Sequence, residues 1–477
     1  MRTACLLLLP SLLAVYAGAA FSAPLAFAHV NVIDATGTPP QPDMTVVVEG
    51  NRIATLGPGA QTTVPSDAYV VDAAGEYLIP GLWDMHVHTL RPGRPDTWFP
   101  LFVANGITGV RDMGGDMSFA EIRQLHREIA DGSRIGPRFV APGPILDGPA
   151  PELPDISLAI ADSDAAAEAV IRLKREGADF IKVYNGLPRG AYFTIAAETQ
   201  RLGMPFAGHV PFSITAQEAS DAGQRSIEHL FNLLFACSSR EDELMRLKEV
   251  ARKAQDRNER SRLRRAYLTG VLDSYSQSKA QALFALFVKN DTWQVPTLVA
   301  RRAFSFDSTE TSRDNEPLQY LPPSERNWNL RTDPRYSEMT AEDIEIQRRF
   351  YRQDKALIAP MLLAGVKFLA GTDVPNPHLV PGFSLHDELA LLVSAGLTPM
   401  QALQSATINP ARYLGLQDSL GTIEKGKLAD LVLLEANPLD DIRNTRKIAA
   451  VVIDGRYLPK EALQKMLADV ATAVNKP

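Results

Sequence analysis

The hydrophobic positions near the two ends of the chain follow the same short-strand pattern. Apolar, β-branched runs there are separated by turns such as Glu49-Gly50-Asn51 and Asp454-Gly455. Strands with this texture are absent from the middle of the sequence, so we expect the two ends to build one small β-sandwich together. The expected strands are 27–33, 45–48, 53–56, 69–71, 431–434 and 450–453.

The middle of the chain instead alternates strand-like and helix-like patterns. Helices are expected over 118–129, 165–175 and 192–202, and three more near the end are expected from Ser384/Asp387, Thr398-Pro399 and Asn409-Pro410. Eight strands in repeated βα units predict an α/β fold, a (β/α)₈ TIM barrel, whose chemistry lies at the C-terminal strand ends. These strands are one ending at 86–88, then 107–113, 138–141, 180–184, 205–210, 226–230, 293–299 and 366–372.

The predicted organisation is a composite β-sandwich from 23–79 and 415–477 around a barrel at 80–414. A charged helical insertion is expected at about 237–290, and a lid-like loop at about 301–351. The basic run Arg252 to Arg265 favours a solvated helix face, and a substrate-facing lid is the alternative.

The first 22 residues have a secretory pattern. Arg2 precedes the short apolar core from Leu6 to Val15, and small residues such as Ala17-Gly18-Ala19 follow. We therefore expect a signal peptide at 1–22 and a secreted or periplasmic protein, with an N-terminal anchor helix as the alternative. No later stretch is apolar for long enough to span a membrane. The net charge of −7 argues against a nucleic-acid partner.

The candidate chemistry begins at the strand end Met85-His86-Val87-His88. Alternation along a strand places His86 and His88 on one face, where two imidazoles can hold one metal ion. A hydrogen-bonded pair of core histidines is the alternative interpretation.

A lysine occupies an equally unusual position in Phe180-Ile181-Lys182-Val183-Tyr184. Phe180, Lys182 and Tyr184 share one face, and an unpaired ammonium inside a barrel is costly. The lysine needs an acidic partner, a lowered pKa or conversion by carbon dioxide to a carbamate that could bridge two metal ions. Snorkelling to the strand end is the competing interpretation.

Three more ligand-type residues end inferred strands: His209, His229 and Asp373. Each alone is commonly a structural histidine or a turn aspartate. Together with the first three, they bring ligand-type residues to the ends of strands one, four, five, six and eight. Such placement is unlikely by chance and indicates a metal site.

These motifs resemble the metal-dependent amidohydrolase superfamily over nearly the whole chain. The resemblance rests on Pro80-Gly81-Leu82-Trp83-Asp84-Met85-His86-Val87-His88, on Gly371-Thr372-Asp373 and on the stretch from Gly421 to Val432. It implies two divalent metal ions, expected to be zinc. His86, His88 and Asp373 would hold one, His209 and His229 the other, and a carbamylated Lys182 would bridge them. It also implies that Asp373 accepts and passes on a proton.

Weaker candidates are Tyr184, Arg111, His378 and His386. Tyr184 could stabilise an oxyanion or pack within the barrel, and these interpretations are equally favoured. Arg111 could bind a substrate carboxylate, although an internal salt bridge is favoured over that role. His378 and His386 could line the barrel mouth, and His386 is equally plausible as a structural residue.

The resemblance is strongest to prolidase-type dipeptidases and ochratoxin-type amide hydrolases. It implies a binuclear zinc hydrolase that takes a small-molecule amide, either a dipeptide or an N-acyl amino acid. A lactonase or phosphotriesterase, an imidazolonepropionase-like cyclic amide hydrolase and a non-catalytic scaffold are the alternatives. A homo-oligomer is compatible with the sequence.

Overall fold

The computed structural model of the chain describes residues 23–306, 316–328 and 338–476. The predicted signal peptide at 1–22 and parts of the predicted lid-like loop at 301–351 lie outside these residues. Within the described ranges, every helix is too short or too polar to cross a bilayer.

One eight-stranded sheet takes strands from both ends of the chain. Its order is β17-β16-β15-β5-β1-β2-β3, with β4 beside β1. The two ends meet where β15 runs antiparallel to β5, with Leu433 opposite Leu78. The strands are β1 (Leu25–Val32), β2 (Gln41–Glu49), β3 (Arg52–Pro58), β4 (Tyr69–Asp72), β5 (Tyr77–Pro80), β15 (Leu431–Leu434), β16 (Ile448–Ile453) and β17 (Arg456–Pro459).

Alternating apolar residues explain why this sheet forms. Phe27, Val46, Leu78, Leu433 and Val452 point to one side and build a shared buried cluster. Burial of this face on both chain ends holds the composite sheet together. The sandwich arrangement and the exact domain boundaries stay predictions.

Two parallel sheets lie between the terminal strands. One has the order β6-β7-β8, and the other has the order β10-β9-β11-β12-β13-β14. Isolated parallel bridges pair Val374 with Val87 and Phe368 with Gln294, so segment 368–374 lies between the first and last of these strands. The strands are β6 (Leu82–Val87), β7 (Ile107–Asp112), β8 (Arg138–Val140), β9 (Ile145–Asp147), β10 (Ser157–Ala159), β11 (Ile181–Val183), β12 (Phe206–Gly208), β13 (Ser226–Glu228) and β14 (Trp293–Val295).

Every predicted barrel strand after the first is shorter than expected, and the last two depart most from the prediction. The strand predicted over 293–299 ends at Val295, because Thr297 is left-handed (φ 46°) and a helix begins at Leu298. The strand predicted over 366–372 makes only isolated bridges.

Helices connect most of the parallel strands and cover their outer faces. The helices are α1 (Arg94–Ala104), α2 (Phe119–Asp131), α3 (Ser163–Glu176), α4 (Arg189–Arg201), α5 (Ala216–Asp221), α6 (Leu233–Ala236), α7 (Glu241–Lys253), α8 (Arg257–Asp273), α9 (Gln277–Lys289), α10 (Leu298–Ala303), α11 (Pro323–Arg326), α12 (Ala341–Ala364), α13 (Phe383–Ser394), α14 (Pro399–Ser405), α15 (Ile408–Leu414) and α16 (Lys460–Val474).

The predicted helix starts had different outcomes. Thr398 caps α14 in a capping box with Gln401, as its sequence indicates. The box predicted from Ser384 does not form, because the Ser384 hydroxyl accepts a hydrogen bond from the Val380 amide (2.8 Å) instead. The helix predicted to begin at Pro410, with Asn409 as its cap, begins two residues earlier at Ile408, and the Asn409 side chain donates a hydrogen bond to the Phe368 carbonyl (3.1 Å).

Candidate metal centre

The six residues predicted as metal ligands lie at the C-terminal ends of the parallel strands. His86 and Lys182 belong to β6 and β11, and His88, His209 and His229 directly follow β6, β12 and β13. Asp373 ends the segment between β14 and β6, and its amide donates to the His86 carbonyl (2.7 Å). Parallel strands bring their carboxyl ends to one edge, so residues far apart in sequence share one site.

Asp373 lies at the centre of this group. Its Oδ1 is 3.3 Å from His86 Nε2 and 3.4 Å from His88 Nε2, and its Oδ2 is 4.0 Å from His229 Nδ1. One ligand atom each from His86, His229 and Asp373 lies within 4.8 Å of the others. The His209 ring centroid is 4.8 Å from that of His229. Imidazole and carboxylate groups at this separation form a donor set that suits zinc and similar divalent ions.

Each of the four histidines has its Nδ1 engaged by an outer partner. Metal-ligating histidines usually have this arrangement, because the second nitrogen fixes the orientation and tautomer of the ring. The Nδ1 contacts are His86 to Glu228 (2.7 Å), His88 to the Gly114 carbonyl (2.8 Å), His209 to Asn185 (2.8 Å) and His229 to Thr297 (2.6 Å). For His86 and His88, whose partners are acceptors only, Nδ1 must donate, and Nε2 is the ring nitrogen that faces Asp373.

Electrostatics keep two of these imidazoles neutral. Burial is the main cause that lowers the pKa of His229 to about 3, partly opposed by Asp373. Burial, with the Lys182 and His229 charges, also holds the pKa of His209 well below its usual value. Burial acts to raise the pKa of Asp373, but His229 and His86 outweigh it and hold that pKa well below the ordinary range. Neutral imidazoles and an ionised carboxylate are the forms that bind a metal.

Lys182 is buried beneath the cluster, with only 1% of its surface exposed. Within the described ranges its Nζ has no hydrogen-bond partner, and it lies 5.8 Å from the centroid of the Tyr184 ring. Burial lowers the pKa of Lys182 to about 8, and Glu228 and Asp373 oppose this effect. At this pKa about a tenth of the amine is uncharged at pH 7, far more than for a lysine with an ordinary pKa.

Arg111 forms an internal salt bridge beneath the cluster. Its guanidinium donates to both Glu228 oxygens (2.9 and 3.0 Å) and to the Met85 carbonyl (2.7 Å), and it is 1% exposed. The structure thus supports the internal salt bridge rather than the substrate contact considered for Arg111. Burial acts to raise the pKa of Glu228, but Arg111 and the His86 bond hold it well below its usual value.

The backbone around the cluster is strained at two of the predicted ligand positions. His229 and Asp373 both adopt left-handed conformations, with φ of 61° and 62°. Each such residue costs about 1–3 kcal/mol, and such strain is common at functional sites. Gly371 meets a different constraint, since a Cβ there would lie 2.8 Å from the His86 Cβ and 2.7 Å from Val295. Glycine thus permits the close approach of this segment to β6.

A cavity of about 680 Å³ opens above the cluster. Its wall includes the predicted residues His88, Tyr184, His209, His229 and Asp373. The Tyr184 ring lies against His209, with 4.2 Å between centroids. Arg91, Arg94 and Trp328 also line this cavity and were not identified from the sequence.

The two histidines considered for the barrel mouth lie outside this cavity wall. His386 is completely buried in α13, where its Nδ1 contacts the Thr445 hydroxyl (2.9 Å). This position agrees with the structural role considered for His386 rather than with a place at the barrel mouth. His378 is partly buried in the loop before α13. Neither side chain lines the cavity above the metal-type cluster.

Several outer residues of the site were missed by the sequence reasoning. Glu228, Asn185 and Thr297 orient histidines, and the Asn376 amide donates to Asp373 Oδ2 (2.8 Å). Glu228 carried a detectable signal, since a carboxylate inside a buried strand requires a charged partner. The other three are polar loop or strand-end residues without a distinctive pattern.

Part of the chain matches a known protein family. Residues 306–458 match a family model described as the amidohydrolase family. A 5-methylthioadenosine/S-adenosylhomocysteine deaminase of Moorella thermoacetica is 33% identical over 122 residues, 22% of this chain and 28% of that protein. An imidazolonepropionase of Deinococcus deserti is 41% identical over 83 residues, 17% of this chain and 20% of that protein. The chain therefore spans less than a third of the length of either curated relative in these matches.

Solved structures resemble the chain over much more of its length. A bottromycin amidohydrolase superposes with a TM-score of 0.72 at 24% identity, covering 95% of this chain and 91% of that one. A protein described as a prolidase from Bifidobacterium longum gives a TM-score of 0.64 at 24% identity, covering 94% and 99%. At this identity, the likeness establishes the fold alone.

Proposed function

We propose that the chain, which matches an amidohydrolase-family model over residues 306–458, is a metal-dependent hydrolase of small-molecule amides. Members of that family are hydrolases that act on C–N bonds. Dipeptides and N-acyl amino acids are the proposed substrate class. The observation that carries this proposal is that four oriented histidines, Asp373 and a buried unpaired lysine form one cluster, four members of which line the same cavity.

The same proposal includes the architecture. The two parallel sheets and segment 368–374 form the (β/α)₈ barrel, and the composite terminal sheet belongs to a β-sandwich domain. Support comes from the parallel bridges at Val87 and Phe368 and from the likeness to amidohydrolase structures. The site then lies where such barrels bind their substrates.

The residues of the centre fit two divalent ions, for which zinc is the proposed element. His86, His88 and Asp373 would hold one, and His209 and His229 would hold the other. When bound, such ions polarise a carbonyl oxygen and lower the pKa of a water molecule. The fit rests on the orphaned Lys182 Nζ and on the Nδ1 contacts that direct the ring nitrogens inward.

Lys182 would complete the donor set as a carbamate. The buried ammonium first loses one proton, and the resulting uncharged amine attacks the carbon of carbon dioxide. A C–N bond forms as one C–O π bond becomes an oxygen lone pair, and the second proton leaves the nitrogen, so the cation becomes an anion. The lowered pKa of Lys182 supplies the uncharged amine. Conversion to an anion also removes the cost of an unpaired buried ammonium.

The remaining roles belong to Asp373 and Tyr184. Asp373 stays ionised across neutral pH, so it can accept the proton of the attacking water and pass it to the departing nitrogen. Tyr184 lines the same cavity and can donate its hydroxyl proton to the oxygen that gains charge. A protein described as a prolidase is among the similar structures, and the dipeptide substrate is proposed in line with that description.

A metal analysis combined with a hydrolysis screen tests this function. The purified chain is analysed for zinc and then assayed by mass spectrometry on dipeptides, N-acyl amino acids, a cyclic amide, lactones, a phosphotriester and an aminopurine. Cleavage confined to linear amides is the expected result. Turnover of only the other compounds would overturn the substrate class, and absence of bound metal with no stability loss on chelation would favour a non-catalytic scaffold.

A further inference from the structure

A second pocket, of about 560 Å³, opens beside the metal-centre cavity. We call it the insertion pocket, because much of its wall comes from α7 and α8 of the helical insertion. The two spaces are contiguous, since both are lined by Glu152, Asn185, His229, Phe231 and Arg301. A molecule whose reacting bond lies at His229 can therefore extend into the insertion pocket.

The floor of the insertion pocket is apolar and aromatic. Phe231 and Phe235 contribute rings, and Leu234, Leu268 and Val271 contribute aliphatic side chains. Leu234, Phe235 and Val271 are each less than 5% exposed, so they form a fixed surface. A wall of this kind favours a flat or branched hydrophobic group.

The Lys248 ammonium lies among these apolar and aromatic side chains without a carboxylate partner in the described part of the chain. The Lys248 ammonium lies 5.0 Å from the ring centroid of Phe212, 5.7 Å from Phe235 and 5.8 Å from Tyr267. Its hydrogen-bond partner is the Phe212 carbonyl at 3.4 Å, and no described carboxylate forms a salt bridge with it. Burial alone lowers the pKa of Lys248 to about 8, which agrees with the lack of a counter-charge.

The other charges of the wall do not neutralise Lys248. Asp354 is paired with Arg301 (2.5 Å), and Glu152 accepts from Asn185 (2.9 Å). Arg264 adds a further positive charge on the rim, without a salt-bridge partner in the described part of the chain. An apolar pocket with surplus positive charge suits an amphiphilic anion.

We propose that the insertion pocket binds the carboxylate-bearing, hydrophobic end of the substrate, so that the enzyme selects amides that join an aromatic or branched apolar group to a carboxylate. This inference rests on the proposed function for the identity of the scissile bond. The carboxylate pairs with Lys248 while its apolar body packs on Phe231 and Phe235. When the substrate carboxylate replaces water beside the Lys248 ammonium, the charge-assisted hydrogen bond offsets the free energy that burial of this cation costs.

A binding experiment on the full purified chain tests the pocket without requiring turnover. The probes are 2-naphthoate and its neutral analogue 2-naphthamide, and calorimetry at neutral pH gives the dissociation constants. Lys248→Gln should weaken naphthoate binding by at least about tenfold, the usual loss for a hydrogen bond to a charged group. Naphthamide binding should change by less than about threefold, because its apolar contacts remain.

Two further variants separate charge from folding. Lys248→Arg keeps the positive charge and should retain naphthoate binding. Lys253→Gln removes an exposed cation of the same helix that pairs with Glu249 (3.0 Å), so it should leave both probes unaffected. Equal losses for the two probes in Lys248→Gln, or unchanged naphthoate binding, would overturn the proposal.

The failure of the pocket and the failure of the function remain distinguishable. Naphthoate binding that ignores Lys248 but disappears on chelation would assign the anion to the metal centre and refute the pocket. Lys248-dependent binding in a chain that hydrolyses no amide would support the pocket as an anion site and refute the proposed function.

Discussion

Glu228 joins the proposed metal centre to the interior of the protein, and its replacement gives a quantitative test. The carboxylate accepts hydrogen bonds from His86 (2.7 Å), from Arg111 (2.9 and 3.0 Å) and from Ser226 (2.6 Å). Glu228 and His86 are fully buried, and Arg111 is 1% exposed. Glu228→Gln therefore removes one charge from a network that water does not reach.

Two separate losses should follow from Glu228→Gln. Arg111 would keep a buried positive charge without its carboxylate, and breaking such a pair costs about 3–5 kcal/mol of the free energy of unfolding. His86 would lose the carboxylate that raises its basicity, and loss of such an outer partner weakens metal affinity about 10–100-fold.

Urea unfolding and zinc titration measure the two losses independently. Arg111→Met combined with Glu228→Gln should regain stability relative to Glu228→Gln, because the uncompensated charge is gone. The double variant should not regain metal affinity, since His86 still lacks its carboxylate. Glu249→Gln is the matched control, because Glu249 is a half-exposed carboxylate paired with Arg252 (2.9 Å) and should cost less than about 1 kcal/mol.

A stability loss in Glu228→Gln no larger than that of Glu249→Gln would refute the electrostatic argument. Full recovery of zinc affinity in the double variant would refute the argument that the Glu228 carboxylate strengthens metal binding through His86. In that event the His86 orientation would depend on packing rather than on the Glu228 carboxylate.

Three further changes have defined outcomes. Lys182→Ala should lose most of its bound metal, measured by elemental analysis, and most of its hydrolysis rate. Lys174→Ala, which changes an exposed lysine, is the control and should lose neither. A Lys182→Ala variant that keeps two metal ions and the full rate would contradict the bridging role. Gly371→Ala should lower the free energy of unfolding by about 1–3 kcal/mol, measured with urea, and weaken zinc binding, because the added Cβ would press on His86. Unchanged stability and zinc affinity would show that segment 368–374 can shift to accommodate the Cβ. Burial and then Arg446 lower the pKa of His386 to about 3 from 6.5, so its contribution to stability is complete above about 6.5 and is lost as the pH falls toward 3. His386→Gln should flatten that slope in urea midpoints measured across this range, and an unchanged slope would assign it to other groups.

Strand periodicity was sufficient to predict that His86 and His88 share one face, whereas the full ligand set came from the family resemblance. His86 and His88 differ by two positions, so a strand places them on one face, and the structure brings both Nε2 atoms to Asp373. Lys182 was recognisable because a charge within an apolar strand has few low-energy solutions. These inferences need only a local pattern and the common direction of parallel strands.

Interactions between distant segments were beyond that reasoning. The choice of Arg111 between substrate and salt bridge depends on Glu228, which lies more than a hundred positions later in the sequence. Similarly, Ser384 has a suitable capping sequence, but its hydroxyl accepts a hydrogen bond from the Val380 amide and so does not cap the helix. A local motif cannot show which competing partner is nearer in the folded chain.

The insertion shows how one charged run can serve two environments. Its basic residues were interpreted as a solvated face, and Arg252 and Lys253 do pair with Glu249 at the surface. Lys248 differs, because it lies four residues after Leu244 and three before Ala251, the two buried positions of α7. Residues at this spacing share one helix face, so Lys248 belongs to the apolar stripe rather than to the solvated face. A lysine within an apolar stripe needs either a carboxylate from the chain or an anion from outside it, and α7 and α8 supply no such carboxylate to Lys248 in the described structure.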